Sequence, residues 1–111
     1  MKCTLEFDGW PVAHLTYATK SDFPTGIASY QLLEDAVDHM DDRDSVRRFI
    51  AVSARLRGGD EAHIRDEDRA FHVAMATLHE WSLVADSGER ETVYPAFLES
   101  GRIHVMLRPA P

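Results

Sequence analysis

Apolar and polar residues alternate from the start of the chain. In KCTLEF, Cys3, Leu5 and Phe7 share one face; in WPVAHLTYA, Ala13, Leu15 and Tyr17 share another. Asp8-Gly9 lies between these runs, a pair suited to the positive φ angles of a tight hairpin. Pro11 lacks an N–H and belongs near a strand start or on an edge. The segment TKSDFPTG reads as a loop.

The period then changes to that of a helix. Tyr30, Leu33, Val37 and Met40 form one stripe, which predicts a helix from about Ala28 to Met40. A second helix is expected from about Ser45 to Arg57, with Val46, Phe49, Ile50, Ser53 and Leu56 inward, Asp44 as its cap and Gly58-Gly59 ending it. Phe71, Ala74, Leu78, Trp81 and Ala85 predict a third from about Glu67 to Ala85, opened by Asp66, Glu67 and Asp68 and stopped at Ser87-Gly88. The tail suggests a second hairpin turning at Ser100-Gly101, or a short helix led by Pro95 before one strand; the strand character of Val93, Tyr94 and Phe97 favours the hairpin. The expected fold is α+β over a single domain, residues 1–111. An antiparallel sheet, built from the N-terminal hairpin and the C-terminal strands, carries three helices on one face in the order ββαααββ.

Composition narrows the class of function. The chain has 111 residues, 44% hydrophobic and 28% charged, enough for a core without metals or disulfides. Cys3 is the sole cysteine. The N-terminus resembles no signal peptide and no apolar run approaches a membrane span, so a cytoplasmic protein is expected. Ten arginines against two lysines, with thirteen alanines, suggest a GC-rich bacterial or phage source. The net charge of −7 disfavours nucleic acid as a direct ligand and favours a basic protein surface.

Candidate chemistry is sparse. The acids of DHMDDRD lack the glycine and closing glutamate of a calcium loop. HEWSL has Leu83 where a zincin needs its second histidine. His72 and His79, seven residues apart, make a poor metal pair, so no metal or cofactor is expected. No nucleophile elbow or phosphate loop occurs, and Cys3 falls on an inward face. His14, His104 and Glu6, with Thr4, could share the outer sheet face and do acid–base work. Arg43, Arg47, Arg48, Arg55 and Arg57 could serve a winged-helix DNA-binding regulator, but the expected third helix opens with three acids that would face phosphates.

These patterns favour a non-enzymatic inhibitor or immunity-type protein that blocks a basic partner, such as a protein of a nucleic-acid-handling complex. The candidate contact residues are Glu34, Asp35, Asp38, Asp41 and Asp42, with Arg47, Arg48 and Arg55 as a second anchor. The alternatives are the winged-helix regulator, a small histidine-using enzyme or ligand-binding domain, and a homodimer pairing through an outer sheet face or edge that carries Val12 and Met106.

Overall fold

The computed structural model describes residues 1–59 and 61–109. Six strands form a closed antiparallel barrel: β1 (Lys2–Phe7), β2 (Trp10–Thr16), β3 (Gly26–Leu32), β4 (Trp81–Ala85), β5 (Arg90–Phe97) and β6 (Arg102–Leu107). Their order around the barrel is β1-β2-β3-β6-β5-β4, and β4 returns to pair with β1. Three helices lie between β3 and β4 in the chain: α1 (Glu34–Asp38), α2 (Arg43–Arg57) and α3 (Asp66–Thr77). Short 3-10 turns occupy Lys20–Asp22 and Glu61–His63.

Both expected hairpins form. Asp8 and Gly9 take φ of 49° and 84°, matching a two-residue turn that follows the strand twist. Ser100 and Gly101, at φ 62° and 72°, turn the second hairpin. The first hairpin also carries a bulge: Leu5 pairs with Ala13 but Glu6 pairs with Pro11, leaving Val12 as an extra residue. The missing N–H of Pro11 is tolerated there. The bulge puts Val12 as well as Ala13 in the interior, both with zero exposure.

Two expected helices are partly strand. Residues 26–32 form β3, between β2 and β6, and only Glu34–Asp38 are helical. The third helix ends at Thr77, and Trp81–Ala85 form β4, between β1 and β5. A spacing of four residues keeps side chains on one side of a helix and also of a strand. Trp81 and Ala85 satisfy both periods, and Leu83, fully buried between them, satisfies only the strand's. Leu78, expected in the helix stripe, is 79% exposed. Ser87-Gly88 turns β4 into β5, with Gly88 at φ 89°, and does not end a helix.

Closure overturns the open sheet with helices on one face. Instead α1 packs against β2, α2 against β5, and α3 against α2. No free edge strand remains among the described residues, so the expected edge pairing has no edge to use, and Val12 lies inside. The three-helices-then-hairpin premise of a winged helix also fails: β4 intervenes, and β5 and β6 are staves of the barrel.

The core runs from barrel to helices. Leu5, Leu15, Leu83, Ile103 and Val105 are fully buried. Phe49 of α2 stacks on Trp81 at 4.9 Å and meets Phe97 edge-on at 6.1 Å. The Trp81 indole N–H donates to the Met75 carbonyl of α3 (3.0 Å), and the Ser53 hydroxyl donates to the Phe97 carbonyl (3.2 Å). These bonds let polar groups sit in the seam without a desolvation penalty.

Candidate functional site: the α1–α2 junction

Residues 33–47 turn the chain from the barrel into α2. Leu33 N–H donates to the Val12 carbonyl, docking the start of α1 on β2. Val37 and Met40 are buried beneath the junction, so Asp38 between them and the acids on either side are displayed on its surface. Asp42, not Asp44, is the cap residue of α2; its side chain makes no capping bond, and Asp44 lies in the first turn.

The eight candidate contact residues separate into two groups. Arg47 binds Glu34 and Asp38, each at 2.8 Å, so these three form one cluster. These bonds favour its guanidinium charge and push its pKa up. Asp35, Asp41 and Asp42 are exposed, and among the described residues their carboxylates show no hydrogen bond or ion pair. Arg43 donates to the Met40 carbonyl at 3.1 Å. The surplus negative charge of the junction is therefore only partly neutralised by its own arginines.

Arg48 and Arg55 lie elsewhere. Arg48 donates to Asp68 of α3 at 2.6 Å and covers the Phe71 ring at 4.0 Å, tying α2 to α3. That bond holds the Asp68 carboxyl below its ordinary pKa. Arg55 reaches the His63 carbonyl at 3.5 Å.

The histidine candidates do not converge. His14 shares a hydrogen bond of 3.3 Å with Thr4. Its β3 partner is Gln31, whereas His104 lies opposite Ile27 on the far side of β3. Four residues along a strand and two strand spacings across place the two roughly 16 Å apart. Glu6 is held by Arg90 at 2.9 Å. His72 and His79 separate as well: His72 stacks on Phe49 at 4.5 Å, while His79 donates from Nδ1 to Asp8 at 2.7 Å. Desolvation, with Arg57 nearby, lowers the pKa of His72. Burial pushes the Cys3 thiol up to about 11, so it offers little thiolate at neutral pH.

One feature of the junction has only a weak local sequence signal. Trp10, 42% exposed, stands beside it with its indole N–H bonded to the Ala36 carbonyl at 2.7 Å. Trp10, Phe7, Met40 and His39, whose ring Nδ1 is bonded to the Asp35 carbonyl at 2.6 Å, line a cavity of about 200 Å³ with Asp8, Asp41 and Asp42. A tryptophan immediately after a hairpin turn was the available hint. What it faces depends on how α1 docks on β2. No protein-family model, curated protein or solved structure matches the chain.

Proposed function

We propose that the chain is a small non-enzymatic binding protein that occupies a basic surface of another protein through the α1–α2 junction, as an inhibitor or immunity-type protein would. The observation that carries this reading is the incomplete neutralisation of the junction: Arg47 answers Glu34 and Asp38, while the carboxylates of Asp35, Asp41 and Asp42 have no partner among the described residues, in a chain of net charge −7. Such a surface accelerates encounter with a basic patch and opposes nucleic acid, and both effects weaken with salt. The test is affinity capture from a lysate of the native host at low and high salt, with the protein and its D38A/D41A/D42A variant. A basic protein captured at low salt and lost with the variant is expected. Capture that ignores both salt and the substitutions refutes the reading.

A second reading is favoured by one feature. A groove of about 520 Å³ crosses the outer face of β1, β2 and β3, where Thr4, His14 and Gln31 form one row and Lys2, Thr16 and Ser29 the next. Its size and polar lining suit a small polar ligand. Ligand-induced stabilisation that disappears in a His14→Ala, Thr4→Ala protein would move the function there.

A further inference from the structure

We infer that the cavity beside Trp10 is a socket for one arginine side chain of a protein partner, an inference that rests on the acidic-surface reading above. Size is the first argument. At about 200 Å³ the cavity is smaller than the roughly 300–1,000 Å³ of small-molecule sites, and suits a single long side chain.

The walls give the second argument. Trp10 is a large aromatic held in place without being buried, because its N–H is committed to the Ala36 carbonyl at 2.7 Å. Met40 and Phe7 are buried beneath the cavity and form its floor, so Trp10 is the accessible apolar wall. The aliphatic stem of an arginine packs on such walls, and its planar guanidinium stacks on an indole face.

Charge decides which side chain fits. Asp42 occupies the cap position of α2, yet its carboxylate is not spent on the helix. Asp41 also makes no bond, and Arg43 and Arg47 are engaged by the Met40 carbonyl and by Glu34 and Asp38. Asp8, which also lines the cavity, accepts from the Glu80 N–H and the His79 ring, each at 2.7 Å, so its carboxylate is held in place. Two open carboxylates beside an aromatic face match the forked donors of a guanidinium and repel an anion.

The test needs no knowledge of the partner. The full chain, labelled with nitrogen-15, is titrated with N-acetyl-arginine methylamide, its lysine analogue and its neutral citrulline analogue. Saturable shifts at the Trp10 indole N–H and the Met40, Asp41 and Asp42 amides are expected with arginine, with affinity on the order of millimolar. D41N/D42N, which keeps side-chain shape, should weaken this at least about tenfold. An equal response to citrulline, a stronger response to lysine, or no saturable shift at these residues overturns the socket. Full capture of a salt-sensitive partner by D41N/D42N overturns the socket and leaves the acidic-surface reading standing. A saturable, arginine-selective socket in a protein with no salt-sensitive partner overturns that reading alone.

Discussion

Replacing His72 with phenylalanine should stabilise the protein and flatten its response to mild acid. The imidazole lies in the α2–α3 seam, parallel to the Phe49 ring at 4.5 Å and 5°. Its Nε2 is buried and has no hydrogen-bond partner. An unsatisfied buried polar atom costs about 1–3 kcal/mol; a ring only half covered belongs at the low end, ~1 kcal/mol. Phenylalanine keeps the stack and removes the orphan atom, so a rise in Tm of about 4 °C is expected near pH 7. Because desolvation lowers the folded-state pKa, the unfolded chain takes the proton first as pH falls below the unfolded value of 6.5. The wild-type protein therefore has this contribution in full above pH 6.5 and loses it as pH falls toward the folded pKa, with a slope of at most ~1.4 kcal/mol per pH unit. Asp68 acts in a separate window: its lowered pKa makes a contribution that is present above its unfolded value of 3.8 and lost below it. Urea denaturation from pH 7.5 to 4.5 separates the two. If the larger ring overpacks the seam, stability drops uniformly and the slope still flattens. An unchanged slope between pH 6.5 and 5 in the variant refutes the account of His72.

Gly26 opens β3 at φ 115°, where an added Cβ would meet the Asp22 carbonyl oxygen at 3.2 Å; Gly26→Ala should cost about 1–3 kcal/mol in chemical denaturation. Leu83→Ala, which empties a fully buried position in the strand that closes the barrel, should cost about 2–5 kcal/mol and bring the protein close to unfolding at room temperature. Ser53→Ala leaves the buried Phe97 carbonyl without its side-chain donor and should cost about 1 kcal/mol, read as a lower urea midpoint with an unchanged m-value. Cys3, 2% exposed with its thiol raised to about 11, should react with a thiol reagent only after denaturation, and rapid labelling of the native protein would contradict its inward placement.

The parts of this fold that were legible in the sequence are those specified by near neighbours. Asp8-Gly9 and Ser100-Gly101 carry their own turn geometry, and the alternation beside them assigns Cys3, Leu5, Phe7, Ile103 and Val105 to the interior without knowledge of any other element, although the same alternation extends to Leu107, which is 47% exposed. Helix α2 was legible for the same reason: fifteen residues of unbroken helical period leave no competing pattern. The tie of Arg47 to Glu34 and Asp38 depends on how α1 is set against α2 and is not carried by any local pattern. Residues 26–32 and 81–85 are different. The apolar residues that continue the helical stripes into them, Tyr30, Trp81 and Ala85, fit either period, and a strand is stable only when partners satisfy its backbone. For β3 one partner is β6, more than seventy residues on; for β4 it is β1, at the opposite end of the chain. The loss of both sheet edges and the cavity between Trp10 and Asp42 follow from that closure and from the docking of α1 on β2. They are decided by long-range pairing, which local periodicity does not encode.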